Sequence, residues 1–212
     1  MNLIKNFSFL FVILFSSLAY TYSPSKGQIT ATFGPCLVQP YWPYPPGDLA
    51  PWSGGVSLIV NGDLNAQGSL EIGLANYHKL YLINLDDGPI SEKTEVLHIT
   101  MGYRHWLANF ISVSASLYTD YPHGEVQLQH AQSNPTASTE TSAHRNVNYG
   151  IDLSAQAELT RWSTSSLILD ARYSRALTKK ANEFADNYNM MIGLKYIIQD
   201  TTKVSQNRQE AL

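Results

Sequence analysis

The chain has 212 residues, 15% of them charged and 44% hydrophobic, and a formal net charge of −3. Charge this sparse, against about 25% in an ordinary soluble domain, and acidic in balance gives no basic footprint for phosphate, so no nucleic-acid partner is expected. A single cysteine, Cys36, excludes an internal disulfide; Phe33-Gly34-Pro35 before it does not resemble a lipid-attachment sequence, and Cys36 is read as a lone thiol in a loop.

The chain opens with Lys5, an apolar run from Phe7 to Phe15, and Ser17-Leu18-Ala19, the small residues that a signal peptidase needs. Residues 1–19 are therefore read as a signal peptide, 20–199 as a β-barrel and 200–212 as a C-terminal tail; loss of Lys5 takes the charge from −3 to −4. The apolar run is shorter than the roughly 20 residues of a membrane-crossing helix, and no later stretch reaches that length without charge. If the remainder enters a membrane, it must do so as strands.

Alternation of apolar and polar residues recurs along the chain and predicts eight strands. They cover about 27–34 (Ile29, Ala31, Phe33), 54–62 (Val56, Leu58, Val60), 68–82 (Leu70, Ile72, Leu74) and 94–105 (Leu97, Ile99, Met101, Tyr103). The remaining four cover 111–121 (Ile111, Val113, Ala115, Leu117), 147–160 (Tyr149, Ile151, Leu153, Ala155, Ala157, Leu159), 164–176 (Leu167, Leu169, Ala171, Tyr173) and 187–199 (Tyr188, Met190, Ile192, Leu194, Tyr196, Ile198). Asn76 and His78 interrupt the third apolar face, which a bulge or emergence from a membrane would explain. Connections alternate between long (35–53, 83–93, 122–146, 177–186) and short (63–67, 106–110, 161–163), so the two kinds segregate to opposite ends of an antiparallel, up-and-down sheet.

Alternation does not say whether the apolar face points out to lipid or into a greasy cavity, as in a soluble lipocalin-like barrel. Aromatics on that face decide for lipid: Trp52, Tyr121, Tyr149, Tyr173 and Tyr188 sit at the long-loop end, Tyr103 and Tyr196 at the short-turn end. Tyr188 and Tyr196 are separated by about 26 Å along a strand, or about 20 Å after a tilt near 40°, the spacing of two interfacial belts. The fold class that follows is all-β, an eight-stranded antiparallel up-and-down transmembrane β-barrel.

So arranged, the chain resembles the small eight-stranded outer-membrane barrels of Gram-negative bacteria, the group of the outer membrane protein A transmembrane domain and outer membrane protein X. Met191-Ile192-Gly193-Leu194-Lys195-Tyr196-Ile197-Ile198 is similar to the terminal assembly signal of such barrels, with Met191 where that signal is polar and Ile198 where it is aromatic. The resemblance implies a bacterial outer-membrane location, outer-membrane lipids and the barrel assembly machinery as partners, and external loops, 35–53 and 122–146, facing an unidentified extracellular partner.

With the polar face inside, its mid-strand charges are Glu71, Asp152, Glu158 and Asp170 against Lys79, Arg104, Arg172 and Lys195. A lumen only wide enough for side chains makes these opposite charges pair into a plug, so little or no conductance is expected. His78, His98, His105, His123, His130 and His144 show no metal-ligand spacing, and neither metal nor cofactor is expected. His98 with Ser112, Ser114 and Ser116 leaves open a lipid-modifying enzyme of the lipid A deacylase kind, and a small-solute channel is the other alternative; a non-catalytic barrel is the preferred reading. In the hairpin from 147 to 176 a loop centred on Trp162 opposes residues whose numbers sum to 324, setting Asp152 against Arg172, Ser154 against Asp170 and Leu153 against Ala171.

Overall fold

Two-residue periodicity with β-branched and aromatic residues on one face yields strand throughout the computed structural model, which describes residues 22, 24–42, 51–85, 88–131, 141–144 and 147–199. The expected signal peptide and C-terminal tail lie outside the described residues. The strands are β1 (Ile29–Pro40), β2 (Ser53–Asp63), β3 (Gly68–Leu85), β4 (Gly88–Ala108), β5 (Ile111–Pro122), β6 (Gln127–Ala131), β7 (Asn148–Trp162), β8 (Ser165–Ala176), β9 (Glu183–Phe184) and β10 (Asn187–Gln199). Eight of them close a ring in the order β1-β2-β3-β4-β5-β7-β8-β10, with β10 pairing back onto β1 and every neighbour antiparallel. Closure leaves no free edge along the ring, which answers the aggregation hazard of an open sheet.

Burial is inverted relative to a water-soluble domain. Phe33, Met101, Leu117 and Ile192 are 58%, 67%, 68% and 55% exposed on the outer wall, while Glu71, Arg104 and Asp152 inside are fully buried. Cys36, Val38, Ile59, Ala75, Ile168 and Met191 form an apolar sector of the interior.

The structure departs from the sequence expectations at several places. The first strand does not stop at 34 but runs to Pro40, so Cys36 is a buried strand residue of the lumen wall and not a loop thiol. Pro35, the first residue of the expected loop 35–53, faces outward and is paired to Val56 of β2, while the ladder to β10 skips Gly34 and Pro35 without changing register. The expected loop 83–93 is mostly strand: β3 continues to Leu85 and β4 starts at Gly88, extending the hairpin beyond the barrel. There both faces carry polar groups, Ser91, Glu92 and Lys93 among them, so alternation gives no signal. Two short strands within the expected long loops dock on this extension, β6 against β4 at Ile90–Lys93 and β9 against β3 at Leu82–Ile83. At Asn76 the pairing to β2 and β4, and at His78 the pairing to β4, continues without a bulge.

The β7–β8 register also differs from 324. Asp152 faces Ser174, Ser154 faces Arg172 and Gln156 faces Asp170, a sum of 326, and Trp162 is the last residue of β7, paired with Ser165. The turn is Ser163-Thr164, and a bulge between Glu158 and Thr160 moves the sum from 327 beside the turn to 326 along the wall. A two-residue turn between 162 and 165 forces an odd sum, whereas apolar odd-numbered residues on both strands need an even one. The bulge reconciles them, and face matching alone could not reveal it.

Ser163 occupies the left-handed region at φ 49°, where a side chain is disfavoured. Ser163→Gly is therefore expected to stabilise the barrel by up to about 1 kcal/mol in denaturant unfolding. At the closing seam, a Cβ on Gly34 would collide with the Ile192 carbonyl and stand 2.7 Å from the Gly193 Cα, whereas one on Gly62 would meet nothing within 4 Å. Gly34→Ala should cost on the order of 1–3 kcal/mol and Gly62→Ala close to nothing in the same titration.

Candidate functional site

The lumen collects the charges that the strands turn inward. Glu71 on β3 and Arg172 on β8 stand four strands apart in the ring whichever way it is followed, so they face each other across the full width. Arg172 Nη2 nevertheless donates to Glu71 Oε1 at 2.9 Å. Arg104 on β4 takes the other oxygen, Nε to Glu71 Oε2 at 2.6 Å, and also donates to Ser112 Oγ at 2.9 Å, Ser154 Oγ at 3.1 Å and Asp170 Oδ2 at 3.1 Å. Both carboxylate oxygens of one buried Glu thus hold guanidinium groups from two walls, the strongest type of side-chain hydrogen bond.

The network continues towards the long-loop end. Arg172 Nη1 donates to Asp152 Oδ2 at 3.1 Å, and that oxygen lies 3.0 Å from His98 Nε2. His98 Nδ1 is 2.5 Å from Asp120 Oδ1, whose partner oxygen accepts from Lys79 Nζ at 2.6 Å. Lys79, Asp120, His98, Asp152, Arg172, Glu71, Arg104 and Asp170 therefore form one continuous chain of contacts, all buried. Thr100, Ser114 and Ser154 fill the gaps between them.

Asp152 and Arg172 meet, as the sequence reading anticipated, but diagonally and not as directly opposed residues. Asp120 joins the network beyond the charges expected from the sequence; its even number on β5 puts it on the same face as Ser112, Ser114 and Ser116. Asp63 is likewise an inward charge beyond those expected: it ends β2, is buried, and accepts from Ser69 Oγ at 2.6 Å. Glu158 and Lys195 lie apart from the central chain, 3.5 Å from one another near the short-turn end. His98, Ser112, Ser114 and Ser116, the residues on which a lipid-modifying enzyme would draw, all face the lumen and none reaches the outer wall.

The outward aromatics occupy the two rims. Trp52, Tyr121, Tyr149 and Tyr188 are exposed at the long-loop end, and Tyr103 and Tyr196 at the other. Tyr173 is half-buried, with its hydroxyl donating to Asp186 at 3.0 Å and its ring 5.2 Å from that of Tyr188. Tyr41, hidden from the sequence reading inside the expected loop, packs edge-on against both, and exposed Trp162 joins the short-turn rim.

Above the long-loop end, Glu92 of β4 and Glu183 of β9 clamp a loop segment. The Thr141 amide and hydroxyl donate to Glu92 Oε2 at 3.1 and 2.5 Å, and the Ser142 amide and hydroxyl donate to Glu183 at 2.7 and 2.5 Å. Ala143 then packs on Tyr81, Ala176 and Ala185 across that end of the barrel.

No family model matches the chain and no curated protein is similar to it. Among solved structures, the attachment invasion locus protein Ail of Yersinia pestis, in complex with the heparin analogue sucrose octasulfate, is 12% identical at a TM-score of 0.49, over 81% of this chain and 98% of that one. The outer membrane protein AlkL, determined in lipid bilayers, is 9% identical at 0.41, over 86% and 95%. The outer membrane protein OprG from Pseudomonas aeruginosa is 12% identical at a TM-score of 0.58, covering 84% of this chain and 99% of that one, and shows that the two share a small closed β-barrel fold.

Proposed function

We propose that the chain is an integral barrel of the bacterial outer membrane, with an ionic plug in place of a passage and with its long-loop end as the recognition surface. The observation that carries this reading is the inverted wall: large apolar side chains stand exposed all round the ring while arginine, lysine and carboxylates are buried within it. Water would penalise such a surface, and hydrocarbon removes the penalty. The two aromatic rims, Trp52, Tyr121, Tyr149, Tyr173 and Tyr188 above and Tyr103 and Tyr196 below, are assigned to the two lipid–water interfaces. The wall between them binds outer-membrane lipids. Extension of β3–β4 with docked β6, together with the clamped Thr141–Ala143 segment, makes the long-loop end the face offered to an extracellular partner. β10, with Gly193, Leu194 and Tyr196, is the strand for the barrel assembly machinery to read.

The glutamate–arginine bridge supports a plug over a small-solute channel, because it ties together walls four strands apart in a ring only wide enough for side chains. A lipid-facing catalytic site draws no support from His98, whose two ring nitrogens both face carboxylates inside the lumen.

Two measurements test this reading. Leu117→Arg puts a charge on the outer wall, and in refolding into phospholipid vesicles it should cost up to about 2–4 kcal/mol, as for a lipid-facing site in a membrane barrel. A barrel that is stable and monodisperse in water without detergent, with Leu117→Arg neutral, would overturn the membrane reading. Within the plug, Arg172→Met strips Glu71 and Asp152 of a buried partner and should cost on the order of 3–5 kcal/mol in denaturant unfolding, less where water enters the lumen. A change under about 1 kcal/mol would mean that the lumen is wet and the charges are solvated.

A further inference from the structure

At the short-turn end, a segment preceding β1 folds back under the barrel. The Gly27 amide donates to the Asp63 carbonyl at 2.8 Å and the Asp63 amide to the Gln28 carbonyl at 2.9 Å, so the segment is pinned to the end of β2. The Ser25 amide donates to Asp63 Oδ2 at 3.1 Å, and the Tyr22 hydroxyl donates to the same oxygen. These bonds drive Tyr22 into the lumen, where it is 1% exposed. Its ring lies 4.8 Å from the Trp106 ring of β4, and Lys195 Nζ of β10 stands 4.2 Å from the Tyr22 centroid and 4.5 Å from that of Trp106. Glu158 of β7 closes the far side of the ammonium at 3.5 Å. Arg161, also on β7, lies over the Tyr22 ring at 5.9 Å.

We infer that Tyr22 is a latch: its ring seals the short-turn mouth of the lumen and, by seating on Lys195, locks the β1–β10 seam after the barrel has closed. Lys195 is 2% exposed; among the described residues it meets Glu158 only at 3.5 Å, and the two aromatic faces and that carboxylate shield it in the place of water. The residues that receive Tyr22 come from β2, β4, β7 and β10, which share one mouth only once β10 has paired with β1. Tyr22 and Lys195 lie near opposite ends of the chain, so their contact carries a large loop-closure cost and forms late. A contact absent from the folding transition state slows unfolding and leaves folding unchanged. Asp63 sets the depth of the latch and Lys195 holds it.

The test uses the full chain folded in detergent micelles, treated with a water-soluble amine-acetylating ester and read lysine by lysine by peptide mass. Lys93, half-buried on the loop extension, reports that the reagent is active, and Lys79, bonded to Asp120 deep inside, reports the integrity of the plug. In the wild type, Lys93 should react and both Lys79 and Lys195 should be protected. Tyr22→Leu, which keeps bulk but removes the π face and the hydroxyl, should expose Lys195 and leave Lys79 protected. Its unfolding should quicken on the order of ten-fold with no change in refolding rate. Tyr22→Phe keeps the ring and should keep Lys195 protected. Protection of Lys195 in folded Tyr22→Leu would overturn the latch, as would equal labelling of Lys79 and Lys195, which means general loosening. A slower refolding rate, or failure of Tyr22→Leu to fold, would show that Tyr22 acts early in folding and not as a latch.

Discussion

A closed ring of eight strands leaves an interior only as wide as the side chains that fill it, and everything within this barrel follows from that width. A long residue on one wall reaches the opposite wall, as Arg172 does to Glu71, so inward charges must be matched across the ring as well as along neighbouring strands. Desolvating these groups is costly, and the chain of contacts from Lys79 to Asp170 offsets that cost only because nearly every member has partners on two sides. Such a network contributes less to net stability than to uniqueness. Any other register would separate charges that have no water to turn to.

The apolar sector beside it has a complementary part. Cys36, Val38, Ile59, Ile168 and Met191, from β1, β2, β8 and β10, pack together inside the lumen beside the ionic chain. The seam between β1 and β10 runs through this sector, and Gly34 and Gly193 let the two backbones approach there. Packing in this apolar cluster explains how a single cysteine comes to be buried without any role in redox chemistry being required of it.

The two mouths are closed by different chemistry. At the long-loop end, two carboxylates hold backbone amides and hydroxyls of Thr141 and Ser142, a clamp of directional hydrogen bonds on a loop. At the short-turn end, the closure is an aromatic ring seated on a buried ammonium. Tight turns leave no loop long enough to fold over that mouth, so the segment before β1 supplies the cover.

Within the strands, the sequence by itself determined most of the architecture. Period-two alternation marked the ring strands, assigned each residue such as Leu153 or Asp152 to a face, and separated long from short connections, because side-chain direction in a strand depends only on parity. It also made Asp120 legible as an inward residue, since parity is all that is needed. Tertiary structure alone decided the rest. The extension of β3–β4 is held by pairing with β6 and β9, where apolar residues such as Leu82 and Ile83 stand side by side, Glu92 and Lys93 put polar groups on both faces, and parity is silent. The bulge in β7 arises from a conflict between turn and face that appears only when two strands meet. The diagonal Asp152–Arg172 contact, the Glu71 bridge and the seat of Tyr22 on Lys195 depend on distances across a closed ring. A linear pattern carries direction but not distance, and which charges meet in the lumen is set by the closure of the barrel.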